Sequence, residues 1–205
     1  MNKINYESEM EKILSQIKLT SVRPKLLLHS CCAPCSSSCI ERLKDSFVLT
    51  VYFYNPNMDS ESEYARRAEE QKRLCENLGV EYIIERFEPK EFYEAVKGFE
   101  KEREGGKRCE LCFKLRLKKT AEKAKACDFQ YFTTTLTVSP LKNSQMLNEI
   151  GKEVGLTTGL NFLPSDFKKK NGYIRSVELS KKYGLYRQDY CGCVYSKLEK
   201  NNAPL

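Results

Sequence analysis

Seven of the chain's ten cysteines fall into three clusters: Cys31-Cys32-x-x-Cys35, Cys109-x-x-Cys112 and Cys191-x-Cys193. A Cys-x-x-Cys pair lets two thiolates reach one metal ion or one cluster, and a close Cys-x-Cys does the same. Two such pairs from separate segments build a four-sulfur site. Thiolates are soft ligands that favour zinc or iron–sulfur over magnesium or calcium. One Cys-x-x-Cys is a weak signal, whereas three clusters together are a stronger one. Adjacent Cys31 and Cys32 suit a disulfide framework poorly, and a reducing compartment turns clustered cysteines toward metal or redox chemistry. The single histidine, His29, excludes a zinc site of two cysteines and two histidines within one chain.

Three readings of these thiols stand side by side. A structural zinc held by four cysteines leaves the surplus unexplained. A thioredoxin-like pair, Cys32 and Cys35, would sit between a strand and a helix, where a thiol pKa is lowered, but it has no use for the other two clusters. An iron–sulfur cluster with a second metal uses all seven thiols, more than the four that one cluster needs. Cys39 lies one helical turn after Cys35, and Cys75 shares an apolar helix face with Leu78. Both read as packing residues, as does Cys127. His29 reads as a packed or hydrogen-bonded histidine, close enough to Cys31 to donate to a sulfur.

Elements must carry these groups to one place. The spacing predicts a helix over residues 6–18 and a short buried strand, "KLLLHS", at 25–30 that leads into "CCAPC" and a helix to about Lys44. "FVLTVYFY" (47–54), "VEYIIERF" (80–87) and "FQYFTTTL" (129–136) read as strands, with a fifth inside 159–167. A helix over 61–78 is capped by Ser60 with Glu63 and ended by Gly79. Residues 88–126 read as mostly helical but interrupted by "EGGKRCELC". Ser139 and Pro140 start another helix, and one more lies near 176–183. Alternating strands and helices predict an α/β fold, a Rossmann-like, mostly parallel sheet with helices on both faces. Sites in such sheets lie outside the carboxyl ends of the strands, and the metal site is expected there. Cys31 and Cys32 follow strand one, Asn55 and Asn57 strand two, Thr134 to Ser139 strand four and Asp166 strand five. The chain reads as a single domain over 1–205, with an N-terminal helical extension at 1–22 and a frayed tail at 197–205.

No run approaches the roughly 18–20 apolar residues of a membrane helix, and the mixed-charge N-terminus has no apolar signal core. A cytoplasmic protein without a membrane partner is expected. The net charge of +7, from 35 basic and 28 acidic residues, allows a polyanionic partner without requiring one. Residues 165–187 interleave Lys168, Lys169, Arg175 and Arg187 with aromatics, a pattern that tracks phosphates and stacks bases, though a solvated helix face reads the same. A second basic stretch, 97–119, surrounds Cys109 and Cys112. Lys142, near a helix N-terminus, reads as a phosphate contact or simply as part of a helix cap.

The motifs "CCAPC", "YNPN" with "EYARR", "RCELCFKLRLKKTA", "YFTTTLTVSP", "DFKKKNGYIRS" and "LYRQDYCGCVYS" occur in that order over about 26–196. Together they resemble the QueH-type epoxyqueuosine reductases. The resemblance implies an oxidoreductase acting on tRNA at the last step of queuosine formation, removing the epoxide oxygen of epoxyqueuosine without cobalamin. It implies a 4Fe–4S cluster on Cys31, Cys32, Cys109 and Cys112. It further implies an adjacent mononuclear iron on Cys191 and Cys193, with Cys35 as third ligand and participant in catalysis. Its partners would be tRNA carrying epoxyqueuosine at the wobble position and an unidentified electron donor. Asp189, Tyr190 or Asp166 are expected to deliver protons. Asn55, Asn57, Arg108, Lys168, Lys169, Arg175 and Arg187 are expected to hold the substrate. The alternatives are a zinc-stabilised RNA-binding module and a thiol oxidoreductase.

Overall fold

The computed structural model describes residues 3–201. Within them, strands β1 (Lys25–Ser30), β2 (Val48–Phe53), β3 (Glu81–Ile84), β4 (Tyr131–Thr134) and β5 (Asn161–Phe162) form one sheet. All pairings are parallel, in the order β3-β2-β1-β4-β5. Parallel neighbours need crossover connections, and the helices α1 (Tyr6–Leu19), α2 (Ala33–Leu43), α3 (Glu61–Leu78), α4 (Pro89–Ala95), α5 (Lys107–Ala126), α6 (Ser144–Thr158), α7 (Gly172–Lys182) and α8 (Val194–Asn201) supply and flank them. The Rossmann-like α/β expectation is met.

Alternation along β1 builds two cores. Leu26 and Leu28 point to one face, against Met10 and Leu14 of α1, Ile40 and Leu43 of α2 and Leu74 of α3. Leu27 points to the other, against Phe113 and Leu117 of α5 and Leu147 and Val154 of α6. Each fully buried leucine contributes roughly 2 kcal/mol by leaving water. His29 has the parity of Leu27 and so faces α5.

Chain order reverses at β1: β2 and β3 lie on one side, β4 and β5 on the other. The connections leaving β1 and β4 diverge, which opens a crevice at their carboxyl ends. Cys31 and Cys32 leave β1 there, and Cys31 N–H donates across the crevice at 3.2 Å to Oγ1 of Thr135, the residue after β4.

Several boundaries differ from expectation. The fourth strand closes at Thr134 and becomes a 3-10 turn, Thr135–Val138, because Thr134 Oγ1 accepts the Leu136 N–H. The next helix therefore begins not at Ser139 but at Ser144, where Asn143 Oδ1 accepts from the N–H groups of Gln145 and Met146. Cys109 and Cys112 lie inside the first turns of α5, not in an interrupting loop. The helix expected at 176–183 starts at Gly172. Of the expected tail, residues 197–201 belong to α8, and 202–205 lie outside the described residues. Ser60 caps α3 as read, accepting the Glu63 N–H at 3.2 Å.

Candidate metal and substrate site

Cys31 directly follows β1 and Cys32 is the N-cap of α2, with Pro34 in the first turn. Pro34 needs no amide partner there and sets φ for the helix, so the turn folds Cys35 back over Cys31 and Cys32. The three Sγ atoms lie within 4.8 Å of one another, with 3.7 Å between Cys31 and Cys32. Among the described residues this is the group of three metal-ligating side chains drawn so close; Cys109, Cys112, Cys191 and Cys193 stand outside it.

The second and third clusters are held by neighbouring backbone. Cys109 Sγ accepts the Gly105 N–H at 3.2 Å, and Cys193 Sγ accepts the Ser196 N–H at 3.4 Å. Ser196 Oγ accepts from Cys191 N–H at 3.1 Å and donates to Glu104 at 2.8 Å. Gly192 takes φ +107°, and a Cβ there would come within 2.7 Å of Met58 Sδ and 3.1 Å of Arg67 Nη1. Only glycine fits that turn, which the Gly192 carbonyl ties to Asp59 N–H at 2.8 Å.

Electrostatics couple the thiols. The Cys31 thiol is held well below its ordinary range, chiefly by hydrogen bonds with Cys32 and Cys35, with Arg116 and Thr135 assisting. Cys32 is pushed up to about 12, first by the same Cys31 pairing. Burial pushes Cys112 up to about 11 and Cys193 up to about 12. As free thiols they cannot all ionise; a bound metal cation removes that conflict. The donor set, with hydrogen bonds from Thr135, Gly105 and Ser196 to three of the sulfurs, fits a thiophilic metal centre. Cations surround it: the charges of Lys142, Arg116, Arg67 and Arg108 all act on these thiols.

A cavity of about 410 Å³ opens over this centre. Cys31, Cys32, Cys35 and Cys191 line it, together with Glu104, Lys142, Tyr173, Gln188, Asp189 and Tyr190. A recess lined by Cys109, Cys191 and Lys142 adjoins it. Arg187 also lines the cavity, its guanidinium 5.6 Å from the Tyr173 ring. Tyr190 donates to Asp59 at 3.3 Å, and its hydroxyl is pushed up to about 12, mainly by burial. Asp189 is exposed and paired with Lys200.

Other expected site residues lie elsewhere. Arg108 is 2% exposed, bound to Glu199 at 2.8 Å and to the Glu100 carbonyl at 2.9 Å. It braces the wall from inside and offers no exposed cation, because α8 packs on it: the Tyr195 ring lies 4.6 Å from its guanidinium and Glu199 pairs with it. Asn55 is buried too, donating to the Ser30 carbonyl at 2.9 Å and accepting from Arg116 at 2.5 Å. Asn57 is buried with its amide unpartnered. Neither lines the cavity, nor do Lys168, Lys169 and Arg175. Lys168 pairs with Asp166 at 2.6 Å, Lys169 donates to Asn5 at 3.1 Å and Arg175 pairs with Glu41 at 2.7 Å. Asp166 accepts from Ser144 at 3.2 Å, outside the cavity lining. Conversely, Glu104, Gln188 and Arg116 were not singled out from sequence; the only local signal is that Arg116 follows Cys112 by one helical turn. His29 is neutral, pushed down to about 3 by burial and by Arg116, and contacts Thr134 Oγ1 at 2.9 Å rather than a sulfur.

Comparison with known proteins follows the same residues. The family model described as epoxyqueuosine reductase QueH matches residues 26–199. A relative from Streptococcus pyogenes serotype M1, named epoxyqueuosine reductase QueH, is 44% identical over 200 residues, covering 95% of this chain and 78% of the relative. One of the same name from Staphylococcus epidermidis is 42% identical, covering 97% and 87%. One from Thermotoga maritima is 39% identical, covering 85% and 91%. No described helix is long and apolar enough to cross a membrane.

Proposed function

The chain belongs to the epoxyqueuosine reductase QueH family, an oxidoreductase family, and from that premise we propose that its substrate is tRNA carrying epoxyqueuosine. The reaction takes the oxygen out of the epoxide and leaves a ring alkene, consuming two electrons and two protons and releasing water. We propose that Cys31, Cys32, Cys109 and Cys112 hold a 4Fe–4S cluster and that Cys35, Cys191 and Cys193 hold an adjacent iron. When bound, these groups supply the two electrons. The observation that carries the reading is the cavity of about 410 Å³ with three clustered thiols and Cys191 in its lining, a size that suits a single base with its small-ring substituent.

The chain's own residues do the rest. The target base must leave the anticodon stack to enter, and Tyr173, 39% exposed at the cavity with Arg187 over its ring, offers a stacking face and a cation. Lys142 shares the cavity lining with Cys31, Cys35, Cys191 and Glu104, whose charges favour its ammonium form. There it stabilises negative charge developing on the departing oxygen. Tyr190 stays protonated at neutral pH and lines the cavity, so it holds a proton where one is needed. We assign the return of that proton from solvent to Asp189, which lines the same cavity, exposed and paired with Lys200. A cytoplasmic location suits a tRNA substrate.

The test is anaerobic purification with iron and sulfide counts, followed by turnover of epoxyqueuosine-containing tRNA with a chemical reductant. More than four irons per chain, with sulfide and turnover, is the expected result. Zinc alone would instead make the protein a zinc-stabilised RNA-binding module, and a metal-free chain with a reactive Cys32–Cys35 pair would make it a thiol oxidoreductase.

A further inference from the structure

Arg116 is 1% exposed, one turn after Cys112 on α5. A guanidinium removed from water needs a counter-anion. The other two fully buried arginines have one: Arg67 pairs with Glu63 at 2.6 Å and Arg108 with Glu199 at 2.8 Å. Arg116 has none among the described residues. Its Nη2 donates to the Asn55 amide oxygen at 2.5 Å and its Nε to His29 Nε2 at 3.3 Å, both neutral groups. Its Nη1 is buried without any hydrogen-bond partner. The groups near it that become anions when they bind metal are cysteines: Cys112 lies one helical turn before it on α5, and its charge acts on both Cys112 and Cys31.

We propose that Arg116 is a positioning residue for the metal centre, serving as the built-in counter-ion of the Cys31 and Cys112 thiolates, with its unpartnered Nη1 reserved for a sulfur of the bound cluster. The inference rests on the functional reading above. A fixed positive charge beside the cluster favours the reduced, more negative state, so it raises the reduction potential and strengthens retention of the cluster.

Two variants separate charge from geometry. Arg116→Lys keeps the charge and loses the fork to Asn55 and His29, while Arg116→Gln loses the charge. Each variant and the wild-type chain is reconstituted with ferrous iron and sulfide without oxygen. The loaded proteins are titrated reductively by visible absorbance and melted before and after loading. Arg116→Gln is expected to titrate at a more negative potential and to hold the cluster about 10- to 100-fold more weakly. Loading then raises its melting temperature less than it raises that of wild type. Arg116→Lys is expected to keep a potential near wild type. Equal potentials in wild type and Arg116→Gln overturn the proposal, as do equal losses in the two variants, which mean shape matters and charge does not. An Arg116→Gln chain that fails to fold without metal assigns Arg116 to the scaffold and overturns it as well. A wild-type chain that takes up no iron–sulfur cluster is a separate result: it removes the functional reading on which the proposal stands.

Discussion

The Cys35 sulfur is within 4.8 Å of both Cys31 and Cys32, yet its own thiol is pushed well up, first by its pairing with Cys31. A thioredoxin-like pair needs one thiol of the two lowered and exposed. Here Cys31, outside that pair, is the lowered one and Cys32 is buried. Cys35 thus suits a metal ligand better than a redox partner of Cys32. The proposed division of ligands predicts that Cys191→Ser or Cys193→Ser abolishes turnover and leaves the 4Fe–4S absorbance and paramagnetic signal intact. Loss of those signals in either variant would mean the two centres share ligands differently. At Lys142 the expectation is a kinetic one. Lys142→Gln removes a charge beside the thiols and is expected to lower turnover by about a hundred- to a thousandfold while tRNA affinity holds. A loss of affinity with normal turnover would return Lys142 to the phosphate-contact role that its sequence position suggested.

Helix α5 is the element that joins two candidate ligands and a buried charge. Its start at Lys107 puts Cys109, Cys112 and Arg116 at i, i+3 and i+7, on one face. The Cys191–Cys193 turn is the opposite case, a loop held by what it touches. Gly192→Ala forces a Cβ into Met58 and Arg67 at φ +107°, so the variant is expected to lose the iron proposed for Cys191 and Cys193 while keeping sulfide content. Iron counted against sulfide by elemental analysis decides this. Strand β1 carries a pH dependence through His29. An unfolded imidazole takes up a proton near pH 6.5, whereas the folded one stays neutral down to about 3. Proton uptake therefore favours the unfolded chain: the contribution of His29 is complete above pH 6.5 and drains away as pH falls toward 3. Melting curves of metal-free protein across that window should fall more steeply for wild type than for His29→Asn.

Across the whole molecule, the excess of seven positive charges matters less than where it is free. Lys168 and Arg175 spend theirs on Asp166, Glu41 and Glu178, whereas Arg187 stands at the cavity with no carboxylate partner among the described residues. Arg187→Ala is expected to weaken tRNA binding and lower the salt slope by about one. Lys168→Ala, Lys169→Ala and Arg175→Ala are expected to weaken binding less, and a larger effect from those three would move the tRNA face away from the cavity mouth. The sequence by itself determined the three thiol clusters and the parallel α/β scaffold. Ligand spacing, strand patterning and the Ser60 cap are local properties, read within a few residues of each other. Helix starts after β4 and at α5 were harder: the Asn143 cap competes with an equally plausible signal at Ser139, and the cap of α5, Gly106, sits inside the "EGGKRCELC" stretch that reads as a break. Only the tertiary structure decided which charges serve the site. Arg116 meets His29 and Asn55 from 87 and 61 residues away. Whether a cation is buried against thiolates, paired on the surface or open at the cavity depends on what packs across the sheet, and no local spacing encodes that contact.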